Sequence, residues 1–189
     1  METKDHYFLS KILARRMHLN TPKTFAFILG NVFPDLNPFS YLRGTGAADL
    51  EGHSFGVRRQ LIGQVYSHGF KDSVSGWFHA GEMMHYIADS FTRPHNKQFN
   101  YSLRQHVIYE RRLHAVLSNR LSPSRIIQHA KPDTDIGRFD PWLENLHQQY
   151  IHSSSSPGDD CRYILHSALT VCGGLTQKCA MQKLQPVLE

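Results

Sequence analysis

Two histidine–carboxylate pairs constrain this chain more than any other feature. His85 and Asp89 are four residues apart, as are His106 and Glu110, and between the pairs, just after Pro94, stands His95. On an α-helix, positions i and i+4 share one face about a turn apart. Each pair therefore presents an imidazole and a carboxylate to a common point. Either pair alone is an ordinary helix-surface pair, and His95 alone an ordinary loop histidine. In combination, H-x3-D-x5-H followed by H-x3-E sets five nitrogen and oxygen donors on two successive helices, which is the donor chemistry of a zinc-type metal centre.

The hydrophobic pattern around these pairs is helical throughout. His6 to His18 reads as a helix with Tyr7, Phe8, Ile12, Leu13 and Leu19 as its apolar stripe. Thr21-Pro22 reads as a helix start, followed by a short apolar element, Phe25 to Leu29, for which a buried strand is the alternative. Gly30-Asn31 ends it, and Pro34 forbids further regular pairing. Residues 36 to 53 are rich in Gly, Pro, Asn and Ser and read as an irregular loop. A partly helical stretch from Arg58 to Phe70 precedes a helix capped by Asp72 or Ser73, running to about Thr92 and stopped by Pro94. Gly81 inside that helix costs about 1 kcal/mol relative to alanine, which a close approach of another backbone would explain. A further helix runs from about Asn100 to Leu121, packed through Leu103, Val107, Ile108, Leu113, Val116 and Leu117. After a break at Ser122-Pro123 and a polar linker at 130–138, helices run from Asp140 to Ile151 and from Asp159 to Leu184. Ser153 to Gly158 reads as a flexible loop between them, and Gly173-Gly174 weakens the last helix. No repeat, strand alternation or heptad pattern is present. The expectation is an all-α, multi-helix bundle in one domain over residues 1–189, with a metal-site core at about 5–120 and C-terminal helices at about 139–185.

Composition limits the setting. A chain of 189 residues with 40% hydrophobic residues can bury a core. No apolar run approaches the roughly 20 residues of a membrane span, and the N-terminus lacks the pattern of a signal peptide. Three cysteines, an odd number without a C-x-x-C motif, fit a reducing cytoplasm. Cys172 and Cys179 share a helix face and read as packing residues. The formal charge of +5 reads first as a solvated basic surface and second as attraction to phosphates, nucleic acid or lipid headgroups.

The segments HYIADSFTRPHNKQF and FILGNVFPDL resemble the zinc-dependent phospholipase C family, and more distantly the S1/P1-type nucleases. Those are all-α enzymes with a three-zinc cluster, and the expected fold is accordingly of the phospholipase C / P1 nuclease type. The motif positions fall on His85, Asp89, His95, His106 and Glu110. Asp35 matches an early aspartate ligand, His53 of Gly52-His53 the next histidine ligand, and His6 a histidine of the N-terminal helix. The resemblance implies one zinc held by Asp35, His53, His85 and Asp89, and a second by His95, His106 and Glu110. The third, in secreted members, uses an N-terminal-helix histidine, the bridging aspartate and the amine of an N-terminal tryptophan. Here His6 and Asp89 match, but no tryptophan stands near the start. Two or three Zn2+ ions are thus expected. An HD-type phosphohydrolase is excluded, because no adjacent His-Asp dipeptide occurs.

The implied activity is phosphodiester hydrolysis, with a metal-activated water attacking phosphorus and Asp35 serving as ligand and as the group that orients that water or takes its proton. Glu82, one turn before His85, is a candidate to support the ligands, with a solvated glutamate as the plainer reading. The substrate class is a phospholipid headgroup or, alternatively, a nucleotide or nucleic acid; a metal-binding protein without catalysis is the third reading. Phe33, Phe39 and Tyr41 form an apolar lip for lipid or cap the core. A nuclease needs base-stacking aromatics, for which Tyr86 and Phe91 are candidates. Transient contact with a membrane surface is expected for the lipase reading, and no obligate protein partner is evident.

Overall fold

The computed structural model describes residues 1–37, 39, 53–99, 101–121 and 131–184. Seven α-helices and no strand occur among the described residues, 81% of which are helical, so the all-α expectation holds. In chain order these are α1 (Thr3–Arg16), α2 (Thr21–Leu36), α3 (Phe55–Gln64), α4 (Val74–Ser90), α5 (Leu103–Arg120), α6 (Phe139–Ser153) and α7 (Pro157–Leu184). A π-turn, Val65–Gly69, extends α3, and two 3-10 turns, Arg93–His95 and Lys97–Phe99, join α4 to α5.

The centre of the molecule is α4. Ser73 caps it by accepting from the Gly76 amide, and from Ala80 to Ser90 every residue but Glu82 is buried. A helix buried on all faces needs partners on all faces. One partner is α2, which lies against it along its whole inner face: Ala26, Phe27, Gly30, Asn31 and Pro34. The contact is backbone on backbone. A Cβ on Gly81 would collide with the Phe27 carbonyl and sit 2.8 Å from the Asn31 amide nitrogen; one on Gly30 would collide with the Phe78 carbonyl. Gly81 thus has the close approach that its helical cost implies.

That contact also corrects the expected end of the second element. It is a helix, not a strand, and it runs past Gly30-Asn31 to Leu36, with Pro34 inside its last turn. Proline removes one backbone bond there, but only two residues follow, and the buried face against α4 is continuous through Pro34.

Other corrections share one cause: burial is set by neighbours rather than by apolarity alone. In α1, Tyr7 and Phe8 are exposed and the inner face is Asp5, His6, Leu9, Ser10, Leu13 and Ala14. In α5, Leu103, Val107 and Ile108 are exposed, and the inner face is Tyr109, Leu113 and Leu117. α5 begins with the capping box Ser102–Gln105. The serine run is not a loose loop: Ser154 is buried and donates to Asp160, while Ser155 and Ser156 donate to Asp159 at the start of α7. Gly173-Gly174 does not interrupt α7; a Cβ on Gly174 would collide with the Tyr66 hydroxyl. Cys161 and Cys172 are buried thiols, and Cys179 is half-buried. The Ser122-Pro123 break lies outside the described residues.

Because neither backbone at the α2–α4 crossing can move locally, Gly81→Ala is expected to cost about 3 kcal/mol of stability through forced separation of the helices. Urea unfolding should show this as a lowered midpoint, whereas Gly56→Ala, where an added Cβ meets nothing within 4 Å, should change stability far less.

Candidate metal centre

The site is built outward from His85. Its Nδ1 lies 2.8 Å from the Asn31 carbonyl oxygen. A carbonyl only accepts, so Nδ1 donates to it, and Nε2 is the nitrogen turned toward the rest of the site. It faces the His53 Nδ1 at 3.1 Å, Asp89 Oδ2 at 3.2 Å and Asp35 Oδ1 at 3.6 Å. Two carboxylates converging on buried imidazole nitrogens make a pocket that a cation stabilises. The group Asp35, His53 and His85 has ligand atoms within 4.8 Å of one another. The donor set of neutral imidazole and carboxylate suits Zn2+, so these residues fit the ion.

Asp89, also buried, joins this half to the other. Its Oδ2 lies 3.0 Å from His53 Nδ1. Its Oδ1 lies 3.1 Å from His6 Nε2 and 3.8 Å from His95 Nε2. His6 stacks on His85, ring centroids 3.9 Å apart. Across the site, Glu110 Oε1 is 3.1 Å from His106 Nε2 and 3.3 Å from His95 Nε2. Two further groups have ligand atoms within 4.8 Å: His6, His85 and Asp89, and His95, His106 and Glu110. All eight residues singled out in the sequence, His6, Asp35, His53, His85, Asp89, His95, His106 and Glu110, therefore meet in one region fed by α1, α2, α4, α5, the residues before α3 and the 3-10 turn Arg93–His95.

Burial and charge set the protonation states. Burial works against the charge on Asp89, but the rings of His95, His85 and His6 and the Met1 amine outweigh it and hold the carboxyl well below its usual range. The same amine and the His106 and His95 hydrogen bonds outweigh burial at Glu110 and lower it likewise. Burial first, and the nearby His85 second, pull His6 down to about 4. Burial also lowers His53 and His95. Ionised carboxylates are the state in which such residues bind metal.

One participant was not legible in the sequence. The Met1 amine is buried 2.8 Å from Asp89 Oδ1, 2.9 Å from Glu110 Oε1 and 3.1 Å from His95 Nε2. Burial disfavours its charge, yet the two carboxylates raise it to about 11, so it places a positive charge where the two halves meet. No motif signals this; only the fold of α1 against α4 and α5 does.

The turn carrying His95 is braced from the C-terminal helices, in a region where the sequence offers no motif. Asp160 accepts from the Arg93 amide (2.9 Å), the Tyr109 hydroxyl (2.9 Å), the Tyr150 hydroxyl (3.0 Å) and the Ser154 hydroxyl (2.8 Å). The Arg93 guanidinium donates to the Ser154 carbonyl and stacks on Phe99. Asn96 donates to the Ser90 and Thr92 carbonyls, so its Oδ1 must accept, and His147 Nε2 donates to it at 2.8 Å. Glu82 takes no part: its Oε2 accepts from His79 Nδ1 (2.8 Å) on the outer side of α4. Its wheel position lies within the same sector as His85 and Asp89, so helical spacing alone does not separate it from the ligands, whereas His79 falls off that face.

An all-helical protein with clustered His, Asp and Glu groups able to hold metal is thus defined. The chain matches the family described as zinc dependent phospholipase C over residues 5–156, four-fifths of its length, and belongs to that family. The family resemblance seen in the sequence is borne out, and the family is zinc-dependent. The searches of curated proteins and of solved structures returned no match. No helix among the described residues is long and apolar enough to cross a membrane.

His147 supplies a pH test of the brace. Burial lowers it from 6.5 to about 4, and its Nδ1 is buried without a hydrogen bond. Below pH 6.5 the unfolded chain takes up a proton that the folded chain refuses, so stability falls as pH drops from 6.5 towards 4, by on the order of 3 kcal/mol. His147→Gln, which keeps a donor for Asn96, should flatten that slope in urea unfolding at pH 7, 5.5 and 4.5; an unchanged slope would show that His147 is not the group responsible.

Proposed function

We propose that this protein is a zinc-dependent phosphodiester hydrolase acting on phospholipid headgroups. The carrying observation is the convergence of His85 Nε2, His53 Nδ1 and the Asp89 and Asp35 carboxylates in a buried position, a donor set that suits a cation. Asp35, His53, His85 and Asp89 would hold one ion, His95, His106 and Glu110 a second, and His6 with Asp89 would serve a third. Zinc bound there supplies Lewis acidity toward a phosphoryl oxygen and lowers the pKa of water.

The protein's own groups do the rest. The Asn31 carbonyl fixes the His85 tautomer and ring orientation. Asp35 is 10% exposed, against 0–1% for His53, His85 and Asp89, which makes it the side chain of the inner half nearest to solvent. Asp35 then orients the attacking water and accepts its proton. The outer half opens on the same principle, at His106 and Glu110, whose side chains are 28% and 16% exposed. The two halves together would hold a phosphodiester, with His106 and Glu110 on the side nearer solvent.

Lipid is favoured over nucleic acid by the aromatic residues. Tyr86 is buried beneath the Arg58 guanidinium, 4.4 Å from the ring centroid, and Phe91 is fully buried against Tyr150 and Tyr163. Neither offers a face to a base. Beside Asp35, by contrast, Phe33, Leu36 and Phe39 are exposed, an apolar border suited to acyl chains; Tyr41 lies outside the described residues. The charge of +5 favours approach to an anionic lipid surface. A cytoplasmic setting belongs to the proposal and rests on the three cysteines packed as thiols.

Zinc-loaded protein is expected to release phosphorylated headgroups from mixed phospholipid vesicles and to cleave bis-p-nitrophenyl phosphate, with little action on single-stranded DNA. His85→Ala and Asp89→Ala should each lower activity at least about 100-fold and reduce bound zinc. Activity on none of the substrates in protein that carries zinc would leave a metal-binding role without catalysis, and DNA as the preferred substrate would replace lipid with the nuclease reading.

A further inference from the structure

A second cluster of metal-type ligands lies outside the centre described above. Glu2, Asp5 and His114 bring ligand atoms within 4.8 Å of one another. They stand where the first turn of α1 meets the middle of α5. We propose that they form a separate zinc site that clamps the start of α1 onto α5.

Asp5 carries the argument. It is 1% exposed, with Oδ1 2.6 Å from His114 Nδ1 and Oδ2 buried without any hydrogen-bond partner. An unpartnered buried carboxylate oxygen is costly, and a cation is the ligand that relieves it. Glu2 adds a second carboxylate to the cluster, which sets two acidic side chains against one imidazole. Lys4 meets Glu2 at 2.7 Å, but its side chain is 51% exposed and such a contact is weak and readily exchanged. The Glu2 and His114 side chains are 25% and 29% exposed, so an ion reaches the cluster without unfolding and retains room for water. One imidazole nitrogen, two carboxylates and an open position form a Zn2+ donor set.

The cluster shares no ligand with the inner centre. Asp5 neighbours His6 in sequence, and His114 is one turn beyond Glu110 on α5. An ion here therefore ties together the two helices that carry inner-centre residues, outside the reach of substrate chemistry. An ion held through His114 Nδ1 replaces the Asp5–His114 hydrogen bond, and the displaced ring proton passes to solvent.

The test is anomalous diffraction at the zinc edge from the full chain crystallised with micromolar zinc, with zinc stoichiometry measured by equilibrium dialysis. The expected result is a peak amid Glu2, Asp5 and His114, retained in His85→Ala and lost, with one equivalent of zinc, in His114→Ala. His114→Gln, which keeps a donor for Asp5, serves if the alanine variant fails to fold. Peaks at the inner centre with none at Glu2, Asp5 and His114 overturn this proposal and leave the proposed function standing. Peaks at neither overturn both. A peak here that needs millimolar zinc overturns it as well, as an adventitious ion only.

Discussion

The α2–α4 crossing is the contact on which the rest depends. Gly30 and Gly81 let two backbones touch, and the close approach has a chemical result as well as a packing one. It sets the Asn31 carbonyl against His85 Nδ1 and brings Asp35 to 3.6 Å from His85 Nε2. A helix pair held apart by a single methyl group would retain its hydrophobic contacts and lose the tautomer control. The candidate metal centre is thus specified partly by residues with no side chain.

Much of the centre was legible in the sequence because helical spacing is itself geometry. His85/Asp89 and His106/Glu110 are local pairs, and a 3.6-residue period places them correctly whatever the fold. Asp35, His53 and His6 are not local to them, and only likeness to a family carried those positions. The structure brings them close through long-range packing. The Met1 amine, the Asn31 carbonyl and the Asp160 brace were not legible at all: backbone groups have no sequence signature, and a buried aspartate looks like any other until its donors are in place.

The misread stretches follow the same logic. Tyr7 and Phe8 looked like the inner face of α1, yet polar Asp5 and His6 are buried instead. An apolar stripe shows the core only where the core is apolar, and a metal centre inverts the pattern beside it. The serine run before α7 was likewise misread as loose, because its order comes from Asp159 and Asp160, which the composition of the run does not include.

Asp89 lends its two oxygens to different neighbours: Oδ2 to His53 and His85, and Oδ1 to His6, His95 and the Met1 amine. One unit of negative charge is therefore divided between two compartments. Whatever positive charge fills one of them draws on the same carboxylate that the other needs, so their occupancies are linked quantities rather than separate constants. Under the proposed metal assignment, the two compartments would fill as coupled rather than independent sites.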